Sequence, residues 1–312
     1  MNRILKKSLI IFCIIILLII SVFITNYLRL YISYIFNKKD YIETFDVQGN
    51  KSKYVPQGLC YSDKYNIALQ TSYNSNGNAS MLYITDIEKN TLIKSLKILD
   101  KDGRASTSHV GGIATDNSKI WITSDYEVNE FNLDFVLNSN DDVIKPIKSS
   151  KLPIRGDFCT YNNQTLWIGD FFLNPFYKVP NNNPLLLSYP IEENIDYNKP
   201  DYAISLPKMV QGLAITSNNE FVFTRSFTYL IKSDLVIYNN LKKETTEKYN
   251  INGYQVPYYK TSKSDLIKRK KIPPMAEGLF YLNNHLYILF ENSSDKYNFA
   301  LPKMNKVIKI DY

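Results

Sequence analysis

Five segments of the chain repeat one pattern, and each begins with a residue that could contribute to a shared chemical site. The segments read QGLCYSDKYNIALQTSY, GGIATDNSKIWITSDY, DFCTYNNQTLWIGDFF, QGLAITSNNEFVFTRSF and EGLFYLNNHLYILFENS. Their first residues are Gln57, Gly111, Asp157, Gln211 and Glu277. Carboxylates and amides that converge on one place can bind a ligand, hold a cation or transfer protons.

Further polar residues lie close to these five positions in the sequence. His109 precedes the second segment and is the imidazole best placed for acid-base chemistry, so that Glu277 and His109 are the predicted catalytic residues of an enzyme. The predicted ligand-binding residues are Gln57, Asp157, Gln211, Asp125, Asp170, Arg225 and Glu291.

The three carboxylates of Asp157, Glu277 and Glu291 could, with amide oxygens, hold Ca²⁺, because this hard cation prefers oxygen ligands. Calcium is the one cofactor that the residues suggest. The alternative is a structural role, in which Arg225 pairs with the acids and offsets the cost of burying their charge.

Each segment consists of a short apolar stretch, a polar turn and a second alternating stretch, which predicts a β-hairpin. The hairpins recur at intervals of roughly 50 residues, and this leaves room for about four strands per repeat. We therefore predict an all-β, five-bladed β-propeller. A six-bladed propeller is the alternative, because residues 230–277 could hold a degenerate blade. The stretch YIETFDV at 41–47 could complete the last blade beside NKVIKIDY at 305–312.

The N-terminal 36 residues predict one transmembrane helix. Residues 8–27 are uncharged and apolar, follow Arg3, Lys6 and Lys7, and are long enough to cross a bilayer. The chain lacks a convincing cleavage site there, which favours a signal anchor with a cytoplasmic tip over a cleaved signal peptide. Residues 1–36 are thus the predicted anchor, and residues 37–312 an extracellular domain of a single-pass protein of the cell membrane.

The charge distribution argues against a nucleic-acid-binding surface. The chain carries a formal net charge of +7, of which residues 1–36 supply four positive charges and no negative ones. One dense basic run, KSDLIKRKK at 263–271, predicts a solvated loop that could bind anionic lipid or a wall polymer.

The first repeat, VPQGLCY followed by LQTSYNSNGNASMLYITDIEKNTLIKSL, resembles the opening blade of plant-type glutaminyl cyclases. That resemblance implies a five-bladed propeller and a cyclotransferase with an acidic residue at the channel of its second blade. Gly111 stands at that place, and MAEGLF, with Glu277, is the nearest match. The five segments together also resemble a group of secreted bacterial propeller proteins without a settled activity.

Three functions remain open at this stage. The first is a binding module that holds a peptide, glycan or envelope component at the channel mouth. The second is an enzyme of the glutaminyl-cyclase or lactonase kind that uses the same residues. The third is a structural partner in the cell envelope, whose channel would be filled by mutually paired side chains.

Overall fold

The computed structural model describes residues 3–312, and the side chains of residues 1–6, including Arg3 and Lys6 of the predicted cytoplasmic tip, lie outside the described part. A long helix, α1 (Arg3–Asn37), opens the fold and is followed by a short 3-10 helix at Lys38–Asp40. The helix is long and apolar enough to cross a membrane, a property that a signal sequence near the N-terminus shares.

After these helices, most of the regular secondary structure is β-strand. In chain order, the strands of the first half are β1 (Ile42–Asp46), β2 (Tyr54–Ser62), β3 (Ile67–Asn74), β4 (Met81–Asp86), β5 (Thr91–Ile98), β6 (Gly112–Thr115), β7 (Lys119–Ser124), β8 (Glu127–Asn132), β9 (Val143–Ile144), β10 (Lys148–Lys151) and β11 (Phe158–Asn162). A short helix of six residues, α2 (Leu133–Asn138), follows β8.

The strands of the second half complete the fold. They are β12 (Thr165–Gly169), β13 (Leu185–Pro190), β14 (Tyr202–Ser205), β15 (Val210–Ile215), β16 (Phe221–Arg225), β17 (Ser233–Tyr238), β18 (Lys248–Ile251), β19 (Tyr254–Tyr259), β20 (Leu266–Ile272), β21 (Ala276–Leu282), β22 (His285–Phe290) and β23 (Lys306–Asp311). Four more 3-10 turns are Pro180–Asn182, Lys263–Asp265, Glu291–Ser293 and Asp295–Tyr297.

These strands form five sheets, and in each sheet four antiparallel strands make one blade of a propeller. The blades, each given from its inner to its outer strand, are β2-β3-β4-β5, β6-β7-β8-β10, β11-β12-β13-β14, β15-β16-β17-β20 and β21-β22-β23-β1. The inner strands contact one another in sequence, and β21 contacts β2, so the ring is closed. The predicted five-bladed propeller is confirmed.

The last blade joins the two ends of the propeller. Strand β1, directly after the N-terminal helix, pairs antiparallel with β23 at the C-terminal end, with Ile42 opposite Lys309. Phe45 of β1 is buried against Leu289 and Val307 of the same sheet. The predicted closure by residues 41–47 is therefore confirmed.

Residues 230–277 contain no sixth blade. Strands β17 and β20 belong to the fourth blade, and the hairpin β18-β19 instead extends the outer edge of the third, where β19 runs parallel to β14. The basic run at 263–271 is not a loop either, because most of it forms the outer strand β20. Arg269 and Lys271 of that strand make salt bridges with Asp234 on the neighbouring strand.

The helix α1 contacts the propeller along one face of its second half. Asn26, Tyr27, Leu30, Ser33 and Tyr34 are at least partly buried, and this spacing selects one side of a helix. Asn26 donates a hydrogen bond to the carbonyl of Leu230 (2.8 Å), and Tyr27 donates one to the carbonyl of Phe299. Residues 8–25, in contrast, are exposed on all sides.

Candidate functional site

All candidate residues near the axis lie at one end of the ring, which we call the mouth face. This face carries the loops that join the second strand of each blade to the third and the loops that lead into the next inner strand. Antiparallel order places these two kinds of loop at the same end of every blade. The five repeats therefore bring their first residues together, as the sequence predicts.

β-Bulges aim three of these residues at the axis. The pairing register shifts between Pro56 and Leu59, between Val210 and Gly212, and between Ala276 and Leu279. Each shift includes the Gln or Glu that opens the repeat. A bulge bends its strand and redirects the side chain of the extra residue, which explains why Gln57, Gln211 and Glu277 leave the regular alternation of their strands.

The mouth face contains a cavity of about 260 Å³ on the propeller axis. It is lined by Gln57, Tyr73, His109, Gly111, Ser124, Asp125, Arg155, Asp157, Phe171, Tyr177, Gln211, Phe227, Glu277, Glu291, Lys296 and Tyr297. All five repeat positions are among these residues, together with His109, Asp125 and Glu291. A cavity of this size suits a small ligand or one end of a longer one.

The cavity is blind. Directly beneath the five axial positions the channel narrows to a space of about 10 Å³, lined mainly by glycines and by Leu59, Ile113, Phe158, Leu213 and Leu279. Such a space is at the lower limit for one water molecule. A ligand can therefore enter only from the mouth face.

Close packing of backbones forms this floor and explains the glycines. A Cβ atom on Gly278 would lie 2.4 Å from the Leu59 nitrogen and 2.8 Å from the Gln57 oxygen. A Cβ atom on Gly111 would lie 2.1 Å from the Asp157 carbonyl oxygen. No side chain fits at position 111, so the acid that the resemblance to glutaminyl cyclases implies in the second blade has no place here.

Glu277 and Glu291 form a pair of carboxyl groups in the cavity wall. Both are buried, at 4% and 8% relative exposure. Burial raises the pKa of Glu277 well above its ordinary value, and the neighbouring Glu291 raises it further. Burial also raises the pKa of Glu291 to about 7, against the opposing effects of Tyr297, Lys296 and Gln57.

Hydrogen bonds hold Glu291 in place, whereas Glu277 is less constrained. Gln57 donates from its side-chain amide to the Glu291 carboxylate (3.3 Å). Lys296 donates to the Tyr73 hydroxyl (2.6 Å), which places its positive charge beside the pair. Within the described residues neither carboxyl makes a salt bridge, and the raised pKa of both groups favours a shared proton, with which the pair could both donate and accept a hydrogen bond.

Asp157 is not part of this pair and forms a salt bridge with an arginine. The Arg155 guanidinium lies 3.2 Å from its carboxylate, and the backbone N–H of Phe171 donates to it at 2.8 Å. Burial nevertheless raises the pKa of Asp157 to about 6. The partner of this acid is therefore Arg155, and not Arg225 as the structural alternative supposes.

Two predicted site residues lie outside the cavity. Asp170 is buried, and its carboxylate accepts a hydrogen bond from the backbone N–H of Arg155 (2.8 Å). It borders a separate cavity at the third blade. Arg225 donates to the Lys208 carbonyl (2.8 Å). Tyr73, near the end of β3, and Phe227, just after β16, line the cavity instead.

The sequence analysis missed the aromatic and basic part of the lining. Tyr73, Tyr177, Phe227 and Tyr297 are in the wall together with Lys296. Tyr177, Lys296 and Tyr297 lie in the loops between the second and third strands, where no repeat pattern marks them. The length of these loops, which exceeds that of the equivalent loop in the second blade, is the only sequence signal that could have found them.

The arrangement does not group three ligands around one metal position. Glu277 and Glu291 are neighbours, but Asp157 is engaged by Arg155. Among the described residues there is no set of three His, Cys, Asp or Glu side chains that could hold a metal ion. Calcium therefore stays a prediction from the sequence.

His109 is a neutral base in this structure. Its ring stacks on Tyr73 with 4.2 Å between centroids, and burial lowers its pKa to about 4, with a further contribution from Lys296. We expect its imidazole resonances to stay constant from pH 8 down to pH 5. NMR titration of the His285→Gln variant, which leaves His109 as the only histidine of the chain, measures this directly. A midpoint at pH 6 or above would show that the ring is solvated.

The comparisons with known proteins support the fold alone. No family model matches the chain, and no curated protein matches it. Among solved structures, a glutaminyl cyclase from Myxococcus xanthus is similar with a TM-score of 0.50 at 7% identity, covering 87% of this chain and 94% of that one. The PQQ-bound aldose sugar dehydrogenase from Streptomyces coelicolor is similar with a TM-score of 0.50 at 12% identity, covering 87% and 97%. At such identities the chain shares with them a propeller architecture.

Proposed function

We propose that this is a single-pass membrane protein whose propeller lies outside the cell and binds a small polar ligand, or the polar end of a larger one, in the blind cavity. Peptides, glycans and envelope components are the candidate ligands. The anchor is helix α1, whose residues 8–25 contact no other part of the protein. The absence of disulfides among three free cysteines fits a fold stabilised by its core.

The observation that carries the proposal is the open cavity with its unmatched carboxyl pair. Burying Glu277 beside Glu291 costs free energy, and among the described residues neither group forms a salt bridge, since Lys296 lies beside the pair but donates to Tyr73. Structural networks are ordinarily satisfied internally. A ligand with hydroxyl or amine donors would complete the hydrogen bonds of the pair. A purely structural role predicts a mouth filled by paired side chains, whereas this mouth contains a cavity of about 260 Å³.

An enzyme is the second candidate, because the same pair could transfer protons. Glu291 has a pKa of about 7, close to the value that suits general acid-base catalysis near neutral pH. In cyclisation of an N-terminal glutamine, the α-amine attacks the side-chain amide carbon and the C–N bond to the amide nitrogen breaks. The ionised carboxylate of the pair would accept a proton from the attacking amine, and the protonated carboxyl would deliver its proton to the departing ammonia. Ammonia release from a glutaminyl peptide, abolished in Glu277→Gln, is the result that this candidate requires.

A thermal-shift screen of the full-length protein in detergent tests ligand binding. We expect one class among N-terminal Gln peptides, other short peptides, sugars and wall-polymer fragments to raise the melting temperature, since a ligand of the folded state stabilises it by mass action. Glu277→Gln should lower the affinity for that ligand at least tenfold.

The control is Glu130→Gln, because Glu130 is a buried glutamate that lies between blades and bonds to Tyr197. This variant should retain the full ligand-induced shift relative to its own baseline. No shift with any class, or an equal loss of affinity in both variants, would contradict binding at the carboxyl pair.

A further inference from the structure

Helix α1 and the cavity mouth point to the same side of the propeller. The helix packs beside the fourth and fifth blades, near Lys232, Pro273 and Pro302, and contacts the tips of two mouth-face loops at Leu230 and Phe299. Beyond these contacts its N-terminal part continues away from the ring. A membrane that contains this part of the helix must lie on the side of the mouth face.

The length of the free helix sets the position of the membrane boundary. Residues 8–25 extend about 27 Å at 1.5 Å per residue, close to the roughly 30 Å of a bilayer hydrocarbon core. The first contacts with the propeller, at Asn26 and Tyr27, come directly after this segment. The boundary of the bilayer therefore falls at the level of the mouth-face loops and leaves no spacer between them.

The same loops expose large apolar side chains, which we call the apolar rim. Its members are Phe176, Tyr177, Phe227, Ile231 and Phe299. Phe299, Phe176 and Ile231 are 78%, 71% and 63% exposed, and Phe176 stacks on Phe227 with 6.1 Å between centroids. The rim belongs to the third, fourth and fifth blades, on the side from which the helix emerges. Apolar and aromatic side chains at this level suit the membrane interface.

We propose that the mouth face rests on the outer surface of the bilayer that holds α1, with the apolar rim inserted among the lipid headgroups. Exposed Lys178 and Lys208 on the same face add attraction to anionic lipid. Three independent features agree on this orientation: the direction of the helix, the length of its free part and the location of the rim.

The orientation restricts what can reach the cavity. The mouth opens onto the headgroup layer, and the floor is closed. This step rests on the ligand proposal above. The class of ligand that fits is a membrane-resident amphiphile, whose polar end enters the cavity while its apolar part stays in the bilayer. The cavity volume of about 260 Å³ suits one polar group of such a molecule.

Depth-dependent fluorescence quenching of the full-length protein in lipid vesicles tests the orientation. A fluorophore on Phe299→Cys or Phe176→Cys, in a Cys13→Ser background with Cys60 and Cys159 buried, should be quenched by lipids that carry a nitroxide near the headgroup. The matched control is Lys89→Cys, an exposed position on the opposite face between β4 and β5. We expect quenching at least fivefold stronger at both rim positions than at position 89.

Equal quenching at the rim and at position 89, or stronger quenching by aqueous iodide at the rim, would overturn the proposal. The measurement does not depend on an occupied cavity. Adding Glu277→Gln to each labelled protein should leave the quenching unchanged, so a failure of the ligand proposal and a failure of this orientation are separate results.

Discussion

Glu277→Gln should increase the free energy of unfolding at pH 8, although it removes a carboxyl group from the candidate site. Glutamine has nearly the same shape as glutamate and no charge to bury. One unit of pKa shift corresponds to about 1.4 kcal/mol, and burial and Glu291 both raise the pKa of Glu277 in the folded state. In the wild-type protein, the free-energy cost of ionising Glu277 in its buried position lowers the stability of the folded state at high pH.

The direction of the pH dependence follows from proton linkage. Above the ordinary pKa of a glutamate the unfolded chain has released its proton, whereas the folded chain still holds it. Stability therefore falls as the pH rises from about 4.5 through the raised folded pKa. Glu277→Gln should flatten this decline, so the variant and the wild type should have nearly equal stability at pH 4.5 and diverge toward pH 8.

Urea unfolding of the full-length protein in detergent at pH 4.5, 6 and 8 measures the effect. Glu130→Gln is again the matched control. Glu130 lies 3.5 Å from Lys119 and 3.7 Å from Lys148, so its replacement removes salt bridges and should destabilise the protein at pH 8. If Glu277→Gln also destabilises at pH 8, the carboxyl pair is a satisfied structural network and the proposed site loses its main support.

Gly278→Ala should strongly destabilise the protein, with a loss of about 3 kcal/mol or more. The new Cβ would lie 2.4 Å from the Leu59 nitrogen and 2.8 Å from the Gln57 oxygen. These are backbone atoms of the neighbouring inner strand, so relief requires the first and last blades to separate. The junction between them is also the place where the ring closes.

Gly77→Ala is the control that distinguishes steric crowding at the propeller axis from the backbone strain of a positive φ. Gly77 has a positive φ of +78° and no atom within 4 Å of a new Cβ, so the variant should lose only about 1–2 kcal/mol. Melting temperatures of both variants in detergent provide the comparison. Equal losses would mean that the axis tolerates a side chain and that the glycines are retained for another reason.

The repeat allowed the fold and the main site positions to be predicted from sequence. Alternating strands with polar turns are local signals, and their common register placed Gln57, Asp157 and Glu277 around one axis. The prediction failed at the ends of the second strands. Tyr73 and Phe227 line the cavity and Arg225 lies outside it, because the course of the chain at the mouth depends on tertiary contacts that the alternation of a strand does not encode.

Other parts of the site had no local signal. Lys296 and Tyr297 lie in a loop, where no alternation of apolar and polar residues marks their positions. They come close to Tyr73 because the last blade closes the ring against the first. The basic run at 263–271 predicted a loop because its consecutive charged residues do not show the alternation of apolar and polar side chains that is typical of a strand. Pairing of Arg269 and Lys271 with Asp234 makes it an edge strand, and its predicted affinity for anionic lipid stays a prediction.

The pairing of β1 with β23 imposes an order on biosynthesis. Strand β1 leaves the ribosome early, directly after the helix, but its partner is made last. Four blades can assemble from contiguous chain while the edge of β1 is still unpaired. A chain that stops before residue 306 would lack the partner of β1, so its ring could not close.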